Sequence, residues 1–167
     1  MNAFYRTPNK TGYRAQAMTE FAIVLPILMA LLVGILEVGR MVFIYAAVNN
    51  ASREAARYAS AVGLADPTHY KYNYCTKIEE VARRSAFNFI QPTITISYDN
   101  GPGTASFNTC VDDGSGADGG VNVSSGDRVT VTATATYGPL INLIPIGSRT
   151  FTSTSSRTIV GVFELQP

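Results

Sequence analysis

The sequence predicts an α+β protein: a long amino-terminal membrane-spanning helix, then a small antiparallel sheet domain with a covering helix. Three observations carry that expectation. Phe21 to Leu36 is an apolar run with no charge, helical spacing continues past it to about Val62, and two later segments alternate apolar and hydroxyl residues with period two. Composition agrees, since 46% of the 167 residues are apolar and only 15% charged, which excludes disorder for the chain as a whole. Thirteen basic against twelve acidic residues leave a net charge of +1, far from the basic balance of a nucleic-acid binder. The unusual hydrophobicity lies almost wholly in the first third.

Met1 to Thr19 carries Arg6, Lys10 and Arg14 among Pro8, Gly12 and polar residues, and is expected to be a short, unstructured basic leader. FAIVLPILMALLVGIL follows Glu20 and falls a little short of the ~20 residues that cross a bilayer core. Glu37 and Arg40 stand three apart on one helix face and can pair, and MVFIYAAV, Met41 to Val48, is apolar again. With snorkelling at its ends, a helix from about Glu20 can span the membrane. Basic residues before the anchor, with no dense basic cluster just after it, predict a cytoplasmic amino terminus and an extracytoplasmic body. An ordinary cleaved signal fits poorly, because no small-x-small site precedes Glu37 and Arg40.

Helical spacing persists through Ala47, Ala51, Ala55, Tyr58, Ala59 and Val62, with Arg53, Glu54 and Arg57 elsewhere on the turn. Gly63 is a plausible stop. One helix from about Ala17 to Val62 would be roughly 70 Å long. Its first half is apolar all round and its second half amphipathic, so the second half needs a surface to pack on. Pro26 should bend it locally by removing one backbone hydrogen bond.

QAMTEFAIVLPILMALLVGILEVGRMVFIYAAVNNASREAARYA, from Gln16, resembles the TadE-like family of pilus-assembly proteins, the pseudopilins of the tight-adherence (Tad) secretion system. The features in order are a basic leader, the Glu20–Phe21 pair opening the apolar helix, the early Pro26, the Glu37-x-Gly39-Arg40 step, and the Asn-Ala-Ser-Arg-Glu-Ala-Ala-Arg-Tyr run. A looser likeness to the family's threonine-rich carboxy-terminal strands covers the rest. The resemblance implies that a prepilin peptidase removes the leader five residues before the glutamate. Here that is the Ala15–Gln16 bond, with Ala15 where the family usually has Gly. Glu20 would then be the fifth residue of the mature chain, able to pair with the new amino terminus of a neighbouring subunit. The alternative for Glu20 is a helix start, where negative charge suits the dipole.

Leu64 to Asn73, with Pro67, His69 and neighbouring tyrosines, is expected to be a turn region leading to a second helix, Thr76 to about Ile90. In that helix Ile78, Val81, Ala82, Phe89 and Ile90 share a face, and Pro92 ends it. Thr93 to Tyr98 alternates, with Ile94, Ile96 and Tyr98 to one side, and Asp99-Asn-Gly-Pro-Gly is a strong turn. Ser106 to Val111 can return. Arg128 to Tyr137 puts Val129, Val131, Ala133, Ala135 and Tyr137 inward, and Arg157 to Leu165 is expected as the last strand. A threonine-rich sheet with one face inward is most naturally antiparallel. Gly138 to Gly147 is either a loop folded over the core or an exposed apolar patch.

Cys75 and Cys110 are the only cysteines. An even pair outside the cytoplasm is expected to form a disulfide, against the alternative of two buried thiols. They cannot build a closed zinc site with one histidine, and no metal or cofactor is expected. Residues 114–119, GSGADG, match G-x-G-x-x-G but lie in a Gly/Ser-rich loop rather than between a strand and a helix. Asp112, Asp113, Asp118 and Asp127 have no EF-hand spacing. His69 has no recognisable nucleophile, and adjacent Glu79 and Glu80 cannot face each other on a helix.

The expected organisation is a leader over 1–15, a long helix over 16–63 with a transmembrane first half, and an extracytoplasmic α+β head over 64–167. With the resemblance, this implies a non-catalytic, pilin-like minor subunit of a Tad-type (type IVb) pilus. It would sit single-pass in a bacterial or archaeal cytoplasmic membrane. Its partners would be the membrane, other pilin or pseudopilin subunits, the assembly machinery and the prepilin peptidase, with no nucleic acid. Gly34 and Gly39 would allow close helix approach. The alternative is a membrane-anchored binding module or tip adhesin using residues 112–127 or 140–146.

Overall fold

The computed structural model describes residues 10–67 (side chains from Ala15 on), 69–87, 90–110, 123–140 and 147–160. The elements are α1 (Lys10–Ala59), α2 (Cys75–Ser85), β1 (Thr93–Asp99), β2 (Asn108–Cys110), β3 (Arg128–Tyr137) and β4 (Arg149–Thr158). This is the α+β class, with the long apolar helix first and an antiparallel four-stranded sheet after it. The chain divides into two compact units, Met1–Arg40 and Met41–Pro167.

In the first unit the helix begins at Lys10, inside the stretch expected to be an unstructured leader. Local chemistry explains the correction. Past Pro8 the leader has no proline, and Gly12 costs only about 1 kcal/mol against Ala. Ala15, Gln16, Ala17 and Met18 are strong helix formers. The helical assignment runs through Pro26 without a break.

In the second unit α1 ends at Ala59, short of the expected Val62, and a turn follows in which Ser60 N–H donates to Ala56 O at 3.0 Å. Gly63 adopts φ 110°, a left-handed conformation open to glycine, and its carbonyl accepts from Lys71 N–H at 3.3 Å. The loop beyond is a small hairpin, bridged at Leu64 and Tyr70. Asp66 accepts from His69 N–H and lies 2.8 Å from its Nδ1. The His69 ring stacks on Tyr74 at 4.9 Å, and Tyr70 stacks on Tyr72 at 5.2 Å.

The second helix ends at Ser85, five residues before the expected Ile90, because Phe87 takes φ 63° and turns the chain out of the helix. Cys75, Ile78 and Ala82 form its buried face. Ile90 packs on the core as a partly buried residue, and Phe89 lies outside the described residues.

The sheet order is β2-β1-β3-β4. β1 and β3 pair with Ile96 opposite Val131 and Tyr98 opposite Val129, and β3 pairs β4 with Ala135 opposite Phe151. The alternation predicted for these strands holds. Ile94, Ile96, Tyr98, Val129, Val131, Ala133, Ala135 and Tyr137 are all buried. The expected return strand, Ser106 to Val111, is shorter, Asn108–Cys110, and Val111 lies outside the described residues.

The last strand is a correction: it is Arg149–Thr158, where Arg157 to Leu165 was expected, and residues 161–167 lie outside the described residues. RTFTSTSSRT has one large apolar residue, Phe151, because its inward side meets polar groups of α1. Ser153 Oγ donates to Asn49 Oδ1 and lies 2.9 Å from Ser52 Oγ. On the opposite face hydroxyls pair across the strands: Thr130 with Ser156, Thr132 with Thr154, Thr134 with Thr152 and Thr136 with Thr150, at 2.8 to 3.3 Å.

One core joins these parts. Ala47, Val48, Ala51, Ala55, Ala56 and Ala59 of α1, with Ile78 and Ala82 of α2, cluster with the inward residues of the sheet. Tyr98, fully buried, donates its hydroxyl to the Tyr72 carbonyl and so ties the hairpin loop to β1. Cys75 and Cys110 are disulfide-bonded with Cα atoms 5.7 Å apart, joining the start of α2 to the end of β2. At the end of the sheet where β1 turns toward β2, Arg128 donates to both Asp99 oxygens, at 2.8 and 3.0 Å, and Gly101 N–H adds a third bond.

Two outcomes follow from these clasps. The disulfide closes a loop across 35 positions, worth about 3–4 kcal/mol in the chain-entropy model. Reductant, or Cys75→Ala with Cys110→Ala, should therefore lower the thermal midpoint by on the order of 10 °C in a detergent-solubilised melt. The Arg128 guanidinium holds the Asp99 carboxyl below the usual carboxylate range, with burial opposing and the Gly101 N–H assisting. Its folded pKa lies below its unfolded value of about 3.9, so the contribution is complete above that pH and is lost as pH falls through the folded value. Between about pH 5 and pH 2 the midpoint of Asp99→Asn should fall less steeply than that of the unaltered protein.

Candidate membrane and assembly site

From Ala15 to Arg40 the helix turns large apolar side chains outward on every side. Met18, Phe21, Ile23, Ile27, Leu31, Ile35 and Leu36 are exposed, as are most residues between them. Of the described residues, α1 supplies one helix long and apolar enough to cross a membrane. A soluble surface rarely presents so continuous an apolar area, and lipid or other helices are its natural cover.

The polar residues of this segment form two sets. At its start, Gln16 Nε2 donates to Glu20 Oε1 at 3.0 Å, one turn apart, and Thr19 Oγ1 donates to the Gln16 carbonyl at 2.7 Å. Glu20 and Phe21 are both exposed. The Ala15–Gln16 bond lies within α1, past its first turn, so an enzyme that binds its substrate extended would first have to unwind helical backbone there. At the other end, Arg40 Nη1 donates to Glu37 Oε2 at 3.0 Å, the pairing expected from the i,i+3 spacing. Glu37 is only 5% exposed, whereas the Arg40 side chain is 39% exposed. Within the pair the carboxylate is buried, while the guanidinium, the group better able to reach water or phosphate, is partly outward.

Pro26 supplies no N–H to the carbonyl of Ala22, which would be its partner in an unbroken helix. Gly34 is half-buried and Gly39 exposed. A Cβ placed on Gly39 would meet nothing within 4 Å, so packing within this chain does not demand glycine there. Cys75 and Cys110 form a cross-link within the second unit.

The side chains considered for catalysis or metal binding are occupied structurally. Asp66 and His69 close the hairpin, Glu79 pairs with Arg83, and Glu80 with Lys77 and Arg84. Asp127 accepts from Asn100 and from Ser124 N–H. Among the described residues no three His, Cys, Asp or Glu side chains converge as a metal site. The GSGADG motif, Asp112, Asp113 and Asp118, and residues 141–146 of the apolar patch lie outside the described residues. A surface depression lined by Asn50, Arg53, Glu54 and Ser85 is open to solvent.

Sequence reasoning missed two groups. The Asn49–Ser52–Ser153 hydrogen bonds join residues about a hundred positions apart, and nothing local signals them. The ring pairs Phe43–Phe87, at 5.1 Å, and Tyr45–Phe151, at 6.1 Å, had a faint signal in the aromatic residues just past Arg40.

Residues 15–57 match the family model described as TadE-like protein, the same segment and family that the sequence resembles. The match covers roughly a quarter of the chain and takes in Ala15, Gln16, Glu20, Phe21, Pro26, Gly34, Glu37, Gly39 and Arg40. No curated protein and no solved structure matches the chain.

The Glu37–Arg40 geometry gives a test. Arg40→Ala removes the cation 3.0 Å from a buried carboxylate, whereas Glu37→Ala with Arg40→Ala removes both charges. The single variant should be the less stable in bilayer nanodiscs, by about 1–2 kcal/mol after discounting for the exposed guanidinium, as read from unfolding midpoints.

Proposed function

We propose, with the TadE-like match of residues 15–57 as the premise, that the protein is a non-catalytic, pilin-like minor subunit of a Tad-type (type IVb) pilus. The observation that carries this reading is that the segment is one continuous helix, exposed and apolar up to Arg40, that runs on into a disulfide-bonded α+β head. In the proposal the helix holds the subunit in a cytoplasmic membrane, amino terminus inside and head outside, until it packs against the helices of other subunits. Gly34 and Gly39 would permit close approach there, and at Gly39 no described part of this chain stands within 4 Å of an added Cβ.

The peptidase step belongs to the same reading. Cleavage of Ala15–Gln16 would turn the Gln16 nitrogen into a terminal amine one helical turn from the Glu20 carboxylate. Glu20 then has a choice between its own chain's amine and that of a neighbour. Its exposure, and a hydrogen bond that among the described residues comes only from the flexible Gln16 amide, leave it able to make either pairing. A head cross-linked at Cys75–Cys110 suits an extracytoplasmic location, where thiols oxidise and stay oxidised.

The test is the intact mass and amino-terminal sequence of the protein from its native membrane. A chain starting at Gln16 is expected, with Ala15→Gly processed at least as fast and Ala15→Leu retaining the leader. Retention of the leader in the unaltered protein would overturn the processing step and leave a permanent anchor.

A further inference from the structure

The second unit carries an aromatic cluster at the end where the chain arrives from its apolar segment. Phe43 and Tyr45 stand on α1 just past Arg40. Phe87, in the turn after α2, packs 5.1 Å from Phe43, and Phe151 of β4 packs 6.1 Å from Tyr45. Although these rings touch one another, they are not core: Tyr45 is 56% and Phe87 45% exposed. The same end of the sheet holds Tyr137 opposite Arg149, both next to the β3–β4 connection, where Leu140 is also exposed.

Phe87 has a further oddity. Its φ of 63° is a left-handed conformation that a large aromatic residue rarely adopts, and it is the one such non-glycine among the described residues. That conformation ends α2 and holds the Phe87 ring, 45% exposed, against Phe43, where an apolar contact from outside the fold can reach it.

Counting along α1 identifies that contact. Phe21 to Arg40 covers about 30 Å at 1.5 Å per residue, the thickness of a hydrocarbon core. Phe43 and Tyr45 then fall about 5–8 Å farther on, at the level of lipid headgroups, where aromatic residues concentrate in membrane proteins. We infer that Phe43, Tyr45, Phe87 and Phe151 form an interfacial collar that seats this end of the head in the headgroup layer of the membrane, with Arg149 placed to meet lipid phosphate. This rests on the membrane-anchor reading above. It adds that the head itself binds lipid, so leaving the membrane for a filament requires the collar to exchange lipid for protein.

The sequence has no tryptophan, so each substitution to Trp gives a single reporter. Full-length Tyr45→Trp, Phe87→Trp, Leu31→Trp and Phe107→Trp would be reconstituted in phosphatidylcholine–phosphatidylglycerol vesicles containing lipids brominated near the headgroup or near the bilayer centre. Phe107 is 44% exposed and hydrogen-bonds to Tyr98 O near the opposite end of the sheet. The expected result is severalfold stronger quenching of the Tyr45 and Phe87 reporters by the shallow bromines than of the Phe107 reporter, with the Leu31 reporter quenched by the deep ones. If Leu31→Trp is quenched but Tyr45→Trp and Phe87→Trp behave like Phe107→Trp, the collar is overturned and the anchor stands. If Leu31→Trp is not quenched, the anchor reading fails and the collar with it.

Discussion

The fit of α1 to the inner face of the sheet depends on side-chain size. Ala47, Val48, Ala51, Ser52, Ala55, Ala56 and Ala59 recur at the spacing of one helix face, and all are buried. Ser52 and Ser153, two of the shortest polar side chains, touch directly at 2.9 Å, which is possible only if the helix and β4 run close together. Leucines on this stripe would hold the helix off and open a gap above Val131 and Ala133, whose own small side chains presuppose the close approach. Such a stripe contributes less burial per residue than leucine would. The larger apolar side chains of the core, Ile78, Ile96, Tyr98 and Tyr137, therefore lie on the other elements.

That division of labour accounts for both cross-links. β2 is only three residues long and β4 carries one large apolar side chain, so neither edge of the sheet is held by bulk hydrophobic packing. The disulfide secures the β2 edge to α2, and the serine–asparagine cluster secures β4 to α1. The threonine ladder continues that logic across the outer face, where hydroxyl pairs replace apolar ones and leave the surface uncharged but well hydrated.

Much of the fold was legible because it is written in short-range periodicity. The strict alternation in Thr93–Tyr98 and Arg128–Tyr137 gave the right strands and inward residues, since each has one face wholly buried. The apolar run and the Glu37–Arg40 spacing pointed to the helix and its ion pair for the same reason. What was not legible depends on partners far away in the chain. β4 lacks an apolar face because its inner neighbours are Asn49 and Ser52, and the expected strand starts eight residues downstream, in the more apolar segment from Arg157 to Leu165. The early end of α2 turns on one left-handed residue, Phe87, whose type argues against that conformation. The helical start at Lys10 is masked in the sequence by Pro8, Gly12 and the basic residues around them, although Ala15 to Met18 are strong helix formers.

The Ser52–Ser153 contact spans 101 positions, which sets a timetable for synthesis. At roughly 5–20 residues per second, the alanine stripe leaves the ribosome several seconds or more before the strand that will cover it. During that interval the second half of α1 is exposed while its first half is already ready for the bilayer. Alanine suits this wait, because a stripe of small side chains is too weakly apolar to draw the segment into lipid or into premature aggregates. The residue type that lets the finished helix lie close to the sheet is also the one that lets the nascent helix stay idle until the sheet exists.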